Sequence, residues 1–119
     1  LAISGGNLYV SEFANNRVQE FSTAGAFIAS FGTSGSGNGQ FRGPWGIASD
    51  PTTGNLYVAD LANNRIEEFS SAGAFIATFG SAGSGAGQLS GPRGVAVGPG
   101  SVIYVTDTGN DRVEEWVLP

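Results

Sequence analysis

The chain has 119 residues, 40% of them apolar, and a formal net charge of −5, a size that suits one small domain. It contains no Cys, His or Met, so zinc sites, histidine acid–base chemistry and Ser-His-Asp triads cannot be built from these residues, and no disulfide is available. Its five cations are all Arg, and an acidic chain without Lys argues against nucleic acid, whose phosphates need clustered positive charge.

In chain order, Leu1-Ala2-Ile3 reads as the remnant of a first strand, and Asn7–Val10 as a second. The region of Arg17–Phe21 gives a third strand and Ala26–Phe31 a fourth, joined at Thr23-Ala24-Gly25. The same order returns with Ile47-Ala48-Ser49, Leu56–Ala59, Arg65–Phe69 and Ala74–Phe79, and partly again with Val95-Ala96-Val97, Val102–Val105 and Val113–Val117. Each segment is short, most are rich in β-branched or aromatic residues, and each is bounded by Gly, Asn, Ser or Pro. That pattern predicts strands. Pro51-Thr52-Thr53-Gly54 and Ser71-Ala72-Gly73 are turn signals. No window shows the helical i, i+3, i+4, i+7 pattern, and no stretch approaches the ~20 apolar residues of a membrane span.

These segments form an internal repeat. Asn-Leu-Tyr-Val at Asn7–Val10 recurs 48 residues on at Asn55–Val58, and a looser copy follows 47 residues later at Val102–Val105. Asn7–Asp50 and Asn55–Gly98 are identical at 28 of 44 positions. Repeats of this length stack, because one unit cannot bury its own apolar faces. Four short antiparallel strands per unit predict an all-β fold, a partial β-propeller of about three four-stranded blades and about 11 strands. The expected blades are about 1–32, about 45–80 and about 93–117, the last lacking its fourth strand.

The spaced motifs carry a resemblance over the whole chain. Gly-Gln-(Phe/Leu)-x-Gly-Pro-x-Gly-(Ile/Val)-Ala, then Asn-Leu-Tyr-Val-Ala-Asp, then Asn-x-Arg-(Ile/Val) and a closing Phe-Gly resemble the NHL repeat. The resemblance implies a propeller, most often six-bladed. It also implies that the acid–arginine pairs Glu12 with Arg17, Asp60 with Arg65 and Asp107 with Arg112 are structural, tying the turn between second and third strands. The chain departs from the family in one place. Members often carry His just before that Arg, where this sequence has Asn16, Asn64 and Asp111.

Propellers of this kind commonly close by combining strands from both chain ends in one blade. On that reading Pro119 lies near a C-terminus and Leu1 inside a longer array; the alternative is that both ends are arbitrary boundaries. About three blades cannot close a ring. Each terminal face would expose apolar area on the order of 500 Å², roughly 12 kcal/mol of gross burial, at the upper end of what monomers expose. The expected partner is a second copy of the chain or a missing segment of the same propeller.

Several stretches invite a chemical reading and carry a blander one. Gly32–Gly39 and Gly80–Gly87 lack the helix and Gly-Lys-Ser/Thr of a phosphate loop, and read as flexible connectors between blades. Asp107–Asp111 has the look of a calcium loop but lacks the remaining ligands, and reads as a turn. Glu67-Glu68 and Glu114-Glu115 cannot converge on one substrate, because adjacent strand residues face opposite ways; they read as solvated outer-strand charge, while the recurrence of Glu20, Glu68 and Glu115 suggests a packing or edge role. No catalytic residue, metal ligand or cofactor is assigned.

The informative positions are those where the copies diverge. Trp45 corresponds to Arg93 and Arg42 to Ser90, while Phe13, Leu61 and Thr108 are equivalent. In propeller topology the connector into the first strand and the turn between second and third strands share one end of the ring. Trp45, Arg93, Arg42, Phe13 and Leu61 are therefore the candidate ligand-binding set. The expected function is a non-catalytic binding or scaffold module for a protein, peptide or glycan. The alternatives are a self-assembling structural subunit and a piece of a larger propeller enzyme. By resemblance, an acidic, Gly/Ser/Asn-rich, Lys-free repeat points to a secreted or surface-displayed prokaryotic protein.

Overall fold

The computed structural model describes Leu1–Val117; Leu118 and Pro119, on which the C-terminus reading rests, lie outside the described residues. Three antiparallel sheets follow one another along the chain. The first holds β1 (Ala2–Ser4), β2 (Asn7–Glu12), β3 (Arg17–Ser22) and β4 (Phe27–Phe31), in sequence order. Two-residue strands β5 (Thr33–Ser34) and β6 (Gln40–Phe41) pair in parallel within the first connector. The second sheet holds β7 (Pro44–Ser49), β8 (Leu56–Asp60), β9 (Arg65–Phe69) and β10 (Phe75–Phe79). The second connector pairs β11 (Ser81–Ala82) with β12 (Gln88–Leu89). The third sheet has three strands, β13 (Pro92–Val97), β14 (Val102–Asp107) and β15 (Arg112–Val117). The fold is thus an all-β partial propeller whose third described sheet has no fourth strand among the described residues.

Register fixes which side chains face which neighbour. Ala2 pairs with Tyr9, Ala48 with Tyr57 and Ala96 with Tyr104, so Leu1-Ala2-Ile3 is in step with Ile47-Ala48-Ser49 and Val95-Ala96-Val97. Alternation along each strand sends one row forward and the other back. Ala2, Tyr9 and Val18 of the first sheet pack against Ile47, Leu56, Val58 and Phe69 of the second, with Phe41 from the connector between them. One unit along, Tyr57, Ala59 and Ile66 meet Ile103 and Val105, with Leu89 inserted in the same way. Phe41 and Leu89 are fully buried. The middle sheet is covered on both sides, and all five residues of β8 are buried.

Two expectations from the sequence are corrected. Glu67 and Glu68 are buried, not solvated. Glu67 lies in the contact with the first sheet, ion-paired with Arg65 and accepting a 2.9 Å bond from the Gly39 N–H. Glu68 faces the other way and accepts from Asn55 Nδ2 and Tyr57 Oη, at 2.9 and 3.0 Å. Glu20 repeats this role with Asn7 at 2.8 Å. In the third unit Val102 replaces the Asn donor, and Glu115 is exposed. The connectors, read as flexible, are instead pinned loops. Asn63 Nδ2 donates to the Gly35 carbonyl, and Gln40 Oε1 accepts from the Gly37 N–H, both at 2.9 Å. The second connector repeats both bonds through Asn110 and Gln88.

Candidate loop-face site

The end of the sheets that carries the connectors is organised by the acid–arginine pairs. Asp60 is fully buried and accepts three bonds: from the Arg42 N–H at 2.7 Å, Asn63 Nδ2 at 2.8 Å and Arg65 Nε at 3.0 Å. Arg65 then uses its remaining nitrogens on the connector, donating to the carbonyls of Ser36, Gly37 and Gln40 at 2.8–2.9 Å. One guanidinium therefore joins the turn after β8 to the loop before β7. The bonds of the pair reach further than the turn alone. Asp107 and Arg112 repeat the arrangement on Ser84, Gly85 and Gln88. Glu12 and Arg17 pair at 2.9 Å, and the Arg17 guanidinium bonds only Glu12 among the described residues.

The carboxylates differ in how they are held. Hydrogen bonds from Arg17 and Asn15 keep the Glu12 carboxyl down at about 2. Burial works to raise Asp107, but the Ser90 N–H, Asn110 and Arg112 outweigh it, and the group stays below the usual range. Burial wins at Glu67, which is pushed up to about 7 against the opposing pull of Arg65 and the Gly39 N–H.

Each unit's turn also crosses to the next. Asn16 and Asn64 hold left-handed backbone, with φ of 53° and 54°. Their side-chain oxygens accept from the N–H groups of Gly43 and Gly91 at 2.8 and 2.9 Å. The Leu61 N–H donates to the Gly43 carbonyl and the Ala62 N–H to that of Arg42. This places the turn after the second strand beside the connector into the first strand, on one end of the molecule.

The sequence candidates fall on that end as follows. Phe13 and Trp45 meet edge to face with ring centroids 5.2 Å apart. The Arg93 guanidinium carbon lies 5.1 Å from the Trp45 ring centroid on a cation–π contact. One residue from each unit thus forms a continuous ladder, Phe13–Trp45–Arg93. Phe13 and Trp45 remain 51% and 47% exposed, so both residues keep surface open to another molecule. Gly43 makes the Phe13 position possible: its φ is +77°, and an added Cβ would lie 2.6 Å from the Phe13 ring. Leu61 is half-buried and joined to this end through Gly43, and Arg42 is exposed beside it. Arg42 and Arg93 form no ion pair among the described residues. There, too, no group of three or more His, Cys, Asp or Glu side chains is placed to hold a metal ion, and no helix is long and apolar enough to cross a membrane.

Sheets stacked face to face in this way, each joined to the next by a pinned loop, define an open segment of a β-propeller. Residues 41–69 and 89–115 match the NHL repeat. A streptogramin B lyase structure superposes with a TM-score of 0.71 at 20% identity, covering 100% of this chain and 39% of that one. An auxiliary nutrient binding protein from Bacteroides thetaiotaomicron gives 0.71 at 13% identity, covering 93% and 34%. A catalytically inactive virginiamycin B lyase from Staphylococcus aureus with quinupristin gives 0.70 at 19%, covering 97% and 39%. The chain therefore spans about two fifths of the lyase structures it resembles, and identities this low establish fold alone. No curated protein matches the sequence significantly.

Proposed function

We propose that the chain is a non-catalytic binding module and that the Phe13–Trp45–Arg93 ladder is its contact surface for a protein, peptide or glycan. The observation that carries this reading is the ladder itself. Two half-exposed aromatic residues and a cation with no ion pair among the described residues, each from a different unit, are brought into line at the positions where otherwise similar repeats diverge. The rigid rings offer apolar area at low entropic cost, and Arg93 offers a directional donor set. Arg42 and Leu61 flank this surface. The pinned connectors support the reading too, since a surface held by buried ion pairs loses little freedom when a ligand docks.

The test uses peptide and glycan arrays probed with the wild-type chain, followed by affinity measurements on Trp45→Ala and Arg93→Ala. The expected result is folded variants whose binding to the wild-type hits falls at least tenfold. Hits that bind the Trp45→Ala variant as tightly as the wild type would overturn the proposal.

A further inference from the structure

The first and third sheets each present a face with no covering among the described residues. On the first sheet, Leu1, Ile3 and Phe27 are 71%, 59% and 59% exposed, and Leu8, Val10 and Phe21 complete the row. On the third, Tyr104, Val113 and Val117 are 37%, 65% and 74% exposed. An apolar hollow of about 220 Å³ lies there among Gly94, Ala96, Tyr104, Thr106 and Val113.

These two faces are not unrelated surfaces. Leu8, Val10 and Phe21 are the repeat equivalents of Leu56, Val58 and Phe69, the residues with which the second sheet meets the first. Tyr104 and Val113 are the equivalents of Tyr9 and Val18, the residues with which the first sheet meets the second. The chain thus carries, on its first and third sheets, both halves of a contact that it makes internally. Inside the molecule that contact buries Val18, Leu56 and Val58 completely, and it is locked by the Tyr9 hydroxyl donating to the Ser71 carbonyl at 2.7 Å.

We infer that a second copy of this chain docks head to tail, its first sheet against the third sheet of its neighbour, reproducing the internal contact. Val113 enters the row of Leu8, Val10 and Phe21, as Val18 enters that of Leu56, Val58 and Phe69. The Tyr104 hydroxyl donates to the carbonyl of Thr23, the equivalent of Ser71. The contact is heterologous, because the two faces differ, and it either closes into a ring or propagates. This goes beyond the ligand reading of the loop end and does not depend on it.

The experiment is sedimentation equilibrium of the full chain and of two face variants. Ile3→Arg blocks the first sheet's face and Val113→Arg the third's. Both positions are mostly solvent-exposed within one chain, so the fold is retained, as circular dichroism verifies. The wild type should sediment at a multiple of the 12.1 kDa chain. Each variant alone should be at least tenfold weaker in association. An equimolar mixture of the two should form a dimer, because one intact face of each kind remains. A wild type that stays folded and monomeric at about 100 μM, where a contact of micromolar Kd or tighter would be largely formed, would overturn the inference. So would a mixture that stays monomeric, which would point to face-on-itself pairing or to an unrelated partner. Should either Arg variant fail to fold, Ile3→Ser and Val113→Ser carry the same comparison.

Discussion

Replacing Arg65 with Ala removes a guanidinium that is 11% exposed from between two carboxylates, Asp60 and Glu67, whose side chains are fully buried. It also takes one donor from each of the connector carbonyls of Ser36, Gly37 and Gln40, of which Gly37 keeps the Gln40 N–H. Deleting one partner of a buried ion pair costs about 3–5 kcal/mol, because the other charge is left uncompensated. Two effects lower that figure. Ser36 and Gly37 are exposed, so water replaces the lost donor there, and Glu67 relieves its own isolation by binding a proton. The expected cost at pH 7 is about 3 kcal/mol. The same motif supplies two internal controls. Arg112 is 31% exposed against a buried Asp107, and its removal should cost about 2 kcal/mol. Arg17 is 42% exposed and Glu12 21%, so Arg17→Ala should cost about 0.5–1 kcal/mol, as for a surface pair. Urea denaturation followed by circular dichroism, at one protein concentration, gives the three values. Equal losses at the three positions, or the largest loss at Arg17, would refute the view that the clamp's strength comes from its burial.

The Glu67 carboxyl, raised to about 7 from 4.5, makes a pH prediction. The folded state binds this proton more tightly than the unfolded chain, so the contribution is full below pH 4.5 and is lost as pH rises to 7. Wild type should lose about 2–3 kcal/mol relative to Glu67→Gln between pH 5 and 8; parallel stability profiles would show the group titrating normally. Gly46→Ala places a Cβ 2.3 Å from the Arg93 carbonyl oxygen, a backbone atom, and should cost about 1–3 kcal/mol as overpacking, measured by thermal denaturation. Trp45→Ala removes an edge-to-face contact and a cation–π contact at an exposed site, and should cost no more than about 1–2 kcal/mol. A fold that collapses on this change would make the ladder a packing element.

Much of the architecture was legible because the repeat is read against itself. Matching apolar alternation in Leu56–Ala59 and its copies gave the strands, and the Gly, Asn and Pro punctuation gave their limits. The loop-face set was visible as divergence: Trp45 against Arg93 marked positions free of the scaffold's constraints, and the structure brings those two and Phe13 into contact. Composition misled in two places. A charged pair such as Glu67-Glu68 on a strand suggested solvent, yet alternation sends one carboxylate into each inter-sheet contact. The legible signal was Arg65 two residues before Glu67, on the same face of the strand. The glycine-rich connectors suggested mobility because they are held by their own backbone carbonyls, which leave no mark in a sequence; the donors that pin them, Asn63 and Arg65, belong to a different segment. Phe13 lying over Gly43 was hidden for a similar reason, since it depends on a positive φ in the next unit.

The most direct test of the proposed binding surface reads Trp45 itself. In a Trp116→Phe background Trp45 is the single tryptophan, half-exposed in the free chain. Acrylamide quenching is measured without ligand and with a saturating ligand from the arrays. A ligand that lies on the ladder should cut the quenching constant severalfold. A ligand that saturates the chain and leaves Trp45 as accessible as before would contradict the assignment of this face.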